Sequence, residues 1–256
     1  MTSPSPAALD HLRVLDLASH LGQTCGRSLG DLGADVIKVE PPEGDSTRRM
    51  GSFAGDQADP ERSLRFINAN RSKRSIVLDL NVPERRERVR ALAERADILV
   101  EDFARGYLTS LGLGYEDLQQ VNPGLVYVSI TPFGQTGPHA DYRGGDLIAQ
   151  ATSGIMIAKG DDEMRLCMAP YEIIFQVTCA QAAFGALLAI RAWKATGQGQ
   201  HVDVSRQEGT ISAEHPYIYR YSHENVITRP EGRQSPLWGG EHLSYLGWRL
   251  RQHLRL

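Results

Sequence analysis

The sequence predicts an α/β protein, a Rossmann-like parallel sheet with flanking helices, and three observations carry that prediction. Short β-rich runs recur at residues 13–17, 35–40, 75–80, 98–103, 125–130 and 201–204. Helical stretches lie between them, which is the pattern of repeated βαβ units. Polar stretches rich in Gly and Pro directly follow two of the runs, at residues 41–65 and 131–146, and the carboxyl end of a strand is where ligands bind in an open α/β sheet.

Taken in order, RVLDL (13–17) reads as the first strand and residues 23–32 as a crossover helix into the second, DVIKVE. Residues 41–65 are polar and rich in Gly, Pro and Asp, so they are expected to form a surface loop, of a length that is more often functional or mobile than inert. NANRSKRS (68–75) places Arg71, Lys73 and Arg74 just before a strand. Such a cluster is either a solvated basic turn or a dock for ligand phosphates, to which guanidinium and ammonium groups give charge-assisted hydrogen bonds. PERRERVRALAERA has Pro83 at a helix start and apolar positions at helical spacing. LGLGYEDLQQV (111–121) reads as a turn and short helix that stops at Asn122-Pro123, ahead of the strand at 125–130.

The run IIFQVTCAQAAFGALLAI (173–190) is nearly apolar and approaches the length needed to span a bilayer. Gln176, Thr178 and Gln181 interrupt it, and a helix apolar on most sides is equally one buried in a core. It is read as a core helix, and no membrane partner is expected. The strand HVDV and a helix-like SRQEGTISA follow. The remainder turns aromatic and polar and ends in LWGGEHLSYLGWRLRQHLRL, with no acid after Glu241, and is read as a frayed or partner-dependent tail.

Composition narrows the chemistry. With 256 residues and a formal net charge of -3, the chain has a core but no broad basic field, so nucleic acid is not an expected partner. Three cysteines without a CxxC argue against a disulfide framework, and eight scattered histidines show no metal-ligand spacing. No metal is expected. The start, MTSPSPAALDHLRV, lacks the basic and apolar regions of a secretory leader, so a reducing cytoplasm is the expected compartment. LGQTCG stands where a dinucleotide-binding GxGxxG would follow the first strand, and neither GxxxxGK[ST] nor GxSxG occurs. Cys25 is either a thiol activated at a helix start or a small core residue, the second being favoured.

Six phrases occur in one order between about Arg13 and Gly209: RVLDL with DLGADVIKVEPPEGDSTR, NANRSKRSIVLDL, ADILVEDFARGYLTSLGLGYEDL, NPGLVYVSITPFGQTGP, GGDLIAQATSGI and TGQGQHVDVS. Together they resemble the class III CoA-transferases, the CaiB/BaiF or formyl-CoA transferase-like family. The resemblance implies a large Rossmann-like domain that binds coenzyme A, here residues 1–210, and a smaller second domain, with residues 211–256 as linker and divergent tail. Family members are substantially longer, so the small domain is expected to be largely missing, through truncation or a frameshift. The family forms interlocked homodimers, and a heteromer with a paralogue is the alternative assembly. No cofactor is held permanently; coenzyme A and acyl-CoA are substrates, with a carboxylic acid as acceptor.

Carried over by motif, His20, Leu21 and Gly22 would lie along the adenine and ribose of coenzyme A. Leu78, Asp79, Leu80 and Asn81, with Asp102, Phe103 and Ala104, would line the nucleotide and pantetheine path. Arg143, Gly144, Gly145 and Asp146 would approach the pantetheine end. Asp102 stands where the family usually has Asn, and Ser110 where some members have a phosphate-contacting Arg. In the family an Asp attacks the thioester, and counting back from TGQGQ puts its position at Phe175. Glu172 is the nearest carboxylate and the surrogate candidate, against a plain reading as a helix-start acid. The related racemases use a GHD phrase, which here reads Gly144-Gly145-Asp146. Three readings therefore stand: a CoA-transferase, a catalytically impaired CoA-binding homologue or partner subunit, and a racemase-type relative.

Overall fold

The computed structural model describes residues 7–157, 166–169, 172–212 and 215–227. It divides into two compact units, one of Met1–Arg143 with Phe175–Arg206, the other of Gly144–Ile174 with Gln207–Leu256. Among the described residues of the first unit, six strands form one sheet: β1 (Arg13–Asp16), β2 (Asp35–Glu40), β3 (Lys73–Val77), β4 (Ile98–Glu101), β5 (Val126–Thr131) and β6 (His201–Ser205). All neighbours are parallel, in the order β3-β2-β1-β4-β5-β6. The expected parallel sheet is present.

Alternation along the strands builds two cores, because successive side chains in a strand point to opposite faces. Val14, Ile98, Val100, Val126, Val128 and Ile130 enter one core, with Cys25 and Leu29 from helix α1 (Gln23–Asp31). Leu15, Leu17, Leu99 and Tyr127 enter the other. Helix α3 (Pro83–Ala93) closes that second face with Val89 and Ala93. The short helices α4 (Tyr107–Ser110) and α5 (Tyr115–Gln119) add Leu108 and Leu118. Strands β4 and β5 are buried along their whole length, as expected of a parallel sheet covered on both faces.

The long apolar run is helix α7 (Ile173–Thr196). Its small residues Cys179, Ala182, Ala186 and Ala189 pack into the first core, while Phe184 and Leu188 are exposed. Half of its most apolar stretch is buried, so it is a core helix on one side.

Two segments differ from expectation. Residues 41–65 are exposed along most of their length, as expected of a surface loop, but they hold 3-10 turns at Ser46–Arg49 and Ala54–Asp56, with Asp45, Thr47 and Ser63 buried. Ser63 then caps helix α2 (Leu64–Asn70), accepting from Phe66 N at 3.2 Å. β3 starts at Lys73 rather than residue 75, because Lys73 and Arg74 pair in register with Val36 and Ile37 of β2. Two charges in these segments are sealed inside the fold, Asp45 against Lys38 and Lys73 against Asp16.

The second unit contains helix α6 (Asp146–Ser153) and a small core of Ala149, Ile155 and Ile174. Gln150 ties it together, donating to Asp146 Oδ2 and Ala169 O while its Oε1 accepts from Ala169 N. Helix α8 (Arg206–Ser212) begins at the junction and α9 (His215–Glu224) follows. The Arg-rich tail ending LWGGEHLSYLGWRLRQHLRL lies outside the described residues.

Candidate functional site

The strand order reverses between β1 and β4. In open α/β sheets the crevice at the carboxyl ends of such a pair is the default ligand site. β1 is followed by the turn containing His20, Leu21 and Gly22, and β4 by Asp102, Phe103 and Ala104. The two turns are joined by one side chain. Asp102 Oδ1 accepts from Ser19 N at 2.8 Å, and its Oδ2 accepts from Leu21 N at 2.9 Å and Gly22 N at 2.7 Å.

In dinucleotide-binding proteins this first turn presents its backbone N–H groups to a pyrophosphate. Here a carboxylate of the protein receives them, which gives the missing GxGxxG a physical meaning. Gly22 suits the close approach of the two turns: a Cβ there would stand 3.1 Å from Asp102 Cβ and 3.0 Å from Ala18 Cβ, tighter than ordinary contact. Burial pushes the Asp102 carboxyl upward, and the Ser19 and Gly22 N–H groups, Arg206 and Lys38 pull against it.

A set of buried ions supports the turn from below. Lys38 donates to Ala18 O at 2.7 Å and pairs with Asp45 at 2.8 Å, both side chains being sealed from solvent. Burial works to lower the Lys38 ammonium, but Asp16 and Asp45 keep it above its ordinary value. Lys73 pairs with Asp16 at 2.6 Å and also donates to Gln23 O and Asn70 Oδ1. Burial drives Glu40 upward, yet Arg48, the Ser75 hydroxyl and Asp45 N hold it down at about 2. Arg48 reaches Glu40 with Nε at 2.6 Å and Nη2 at 2.9 Å.

That arrangement corrects the phosphate-dock reading of NANRSKRS. Lys73 is buried on Asp16, Arg71 pairs with Asp31 at 3.0 Å, and Arg74 pairs with Asp35 at 2.6 Å. Lys73 is sealed inside the fold, while Arg71 and Arg74 stay exposed and each faces an acid, Asp31 at the end of α1 and Asp35 at the start of β2, so the three do not form one open basic cluster. Cys25 is fully buried, and burial pushes its thiol well up, so it is a core residue.

The structure brings only some of the motif-derived residues together. Leu21 and Gly22 meet Asp102 directly, His20 lies between them and Ser19 in the same turn, and Phe103 packs on Tyr107 with ring centroids 5.0 Å apart. Leu78, Asp79, Leu80 and Asn81 form a tight turn at the same end of the sheet, after β3; Asp79 Oδ1 accepts from Asn81 N at 2.9 Å. Ala104 is exposed, as is Arg143 at the edge of the first unit. Gly144, Gly145 and Asp146 belong to the second unit, where Asp146 is buried at the first position of α6.

Phe175, at the position inferred for the nucleophile, is buried in the first turn of α7. Its ring stands edge-on to His20 at 5.6 Å and lies beneath the Arg206 guanidinium at 5.0 Å. His20 Nε2 is 3.2 Å from Arg65 Nη1. Glu172 lies just before α7, half-buried, in left-handed backbone with φ 52°.

One group escaped the sequence reading. Ser129 Oγ lies 2.9 Å from His201 Nε2, and the His201 ring stacks on Tyr115 at 5.2 Å. With Glu101 they line a polar cavity of about 40 Å³. Burial pushes the Glu101 carboxyl up to about 7. Among the described residues, no group of His, Cys, Asp and Glu is placed to hold a metal.

A model described as CoA-transferase family III matches residues 9–243. The succinate–glutarate CoA-transferase of Agrobacterium fabrum is 45% identical over 207 residues, covering 77% of this chain and 50% of that protein. The succinyl-CoA:(R)-benzylsuccinate CoA-transferase subunit BbsE of Thauera aromatica is 39% identical over 223 residues, covering 87% and 54% respectively. A crystal structure of a CAIB/BAIF family protein from Brucella suis superimposes with a TM-score of 0.84 at 35% identity, covering 91% of this chain and 62% of that one. The chain spans about half the length of the curated relatives it matches.

Proposed function

The chain belongs to CoA-transferase family III, and from that membership we propose that it binds a CoA thioester and takes part in moving coenzyme A from one carboxylic acid to another. The observation that carries this reading is the closed turn at the sheet's reversal point. Asp102 already holds the backbone donors of residues 19, 21 and 22, so the turn is rigid and offers a neutral wall rather than an anion seat. A long, thin thioester can lie along such a wall, with Leu78, Asp79, Leu80, Asn81, Phe103 and Ala104 beside it.

The transfer proceeds through an enzyme carboxylate. It attacks the thioester carbonyl and releases the CoA thiolate, leaving a mixed anhydride. The thiolate then attacks the enzyme-side carbonyl and frees the first acid. The acceptor carboxylate then attacks the enzyme thioester and expels the CoA thiolate, and the thiolate attacks the acceptor-side carbonyl of the new anhydride, which forms the product thioester and frees the enzyme carboxylate. A carboxylate suits this because it is both nucleophile and leaving group. In this chain Glu172 is the carboxylate nearest the inferred position.

A second reading is favoured by Phe175, which is buried between His20 and Arg206 where the attacking acid would stand. On this reading the chain holds the CoA moiety while a partner chain supplies the nucleophile. One relative is itself named as a subunit. A homodimer and a heteromer with a paralogue are the two assemblies that follow, in a reducing cytoplasm. The test is calorimetry with coenzyme A, followed by trapping with hydroxylamine after incubation with a panel of acyl-CoA donors. CoA binding with a trapped adduct supports transfer by this chain; binding without an adduct supports the partner reading; no binding overturns both.

A further inference from the structure

We propose that Asp102 is a positioning residue that acts as the resident anion of the β1–α1 turn, fixing its backbone donors and keeping a ligand's diphosphate out of it. The role rests on the reading above that this turn lies along the thioester.

Three amides converge on the two oxygens of one carboxylate, at 2.7 to 2.9 Å. Gly22, which supplies one of them, is the residue before α1 and has no side-chain cap of its own. Left open, donors converging beside a helix start bind phosphate readily, since backbone N–H groups and the helix dipole both favour an anion. Asp102 satisfies them from the neighbouring strand. Lys38 fixes the other side of the turn through Ala18 O, so the segment is clamped from β2 and from β4.

The choice of acid matters. Oδ1 serves Ser19 and Oδ2 serves Leu21 and Gly22, so acceptors are needed on both arms. An asparagine offers one acceptor and one amide donor. Its NH2 group would face either the Ser19 N–H or the pair from Leu21 and Gly22. This chain's turn is therefore matched to a carboxylate.

The test uses the full chain and amide-resolved hydrogen exchange with inorganic pyrophosphate as the probe. Asp102→Asn is expected to speed exchange about tenfold or more at Leu21 and Gly22 or at Ser19, with core amides such as Val14 and Val128 unchanged. Asp102→Gly is expected to speed all three and to show shifts at these amides on adding pyrophosphate, which the unaltered chain does not show. Wild-type protection at all three amides in Asp102→Asn would overturn the proposal, as would equal pyrophosphate shifts in the unaltered chain. If Asp102→Gly does not fold, the Asn variant decides alone. A chain that fails to bind coenzyme A but shows the expected exchange pattern would sink the thioester reading and leave the positioning role standing.

Discussion

Asp16 and Lys73 meet at 2.6 Å with both side chains closed off from solvent, joining β1 to β3 across the intervening β2. Asp16 also accepts from Ala18 N at 2.9 Å, so one carboxylate ties an outer strand to the base of the ligand turn.

Removing one member of that pair should be severe. Lys73→Met leaves a buried, unmatched carboxylate, and a loss of about 3–5 kcal/mol in unfolding free energy is expected. Urea denaturation measures it. The double variant Lys73→Met with Asp16→Leu should recover much of the loss, and a double variant no better than the single one would contradict this account.

Glu101 should make the protein less stable as pH rises. Its folded carboxyl titrates at about 7, raised by burial, against 4.5 for the ordinary group. The unfolded chain therefore releases this proton first, and the contribution falls between pH 4.5 and about 7 and is flat above. The window is worth roughly 3 kcal/mol. Glu101→Gln should remove that slope, leaving the variant at least as stable at pH 8; thermal melts across pH give the comparison.

Glu40 behaves in the opposite sense. Its folded value is about 2, so its stabilisation is present above pH 4.5 and is lost as pH falls towards 2. Arg48→Met should weaken the protein by a few kcal/mol, about 2–3, at pH 7 and bring acid unfolding to higher pH. An unchanged acid midpoint would show that the pair is not what resists acid.

Phe175→Asp tests the inferred nucleophile position. It replaces a buried ring beneath Arg206 with a carboxylate that the guanidinium can hold. An acyl-CoA donor followed by hydroxylamine should trap at least about tenfold more adduct on the variant than on the unaltered chain. Mass spectrometry locates the adduct, and one found equally in both proteins would place the reacting group elsewhere.

The parallel sheet was legible because its strands combine apolar runs with Gly and Pro punctuation, and because Pro83 marks the start of α3 and the length of the apolar run marks α7. β3 was misplaced by two residues since Lys73 and Arg74 look like a turn when their partners Asp16 and Asp35 are far away in sequence. The same distance hid the buried ions: a charge in the middle of DVIKVE signals a partner, but nothing local names Asp45. Motif spacing singled out Leu21, Gly22 and Asp102, which hydrogen-bond to one another in the structure. It had no means of finding Ser129 and His201, which meet only because β5 and β6 are neighbours.

β3 stands at one end of the described sheet, paired there with β2. Arg74, exposed in the middle of it and tethered to Asp35, sets a charge on the flank where another molecule's strand would attach. Of the three residues that looked like a phosphate dock, Arg74 is thus the one whose charge works against edge-to-edge pairing.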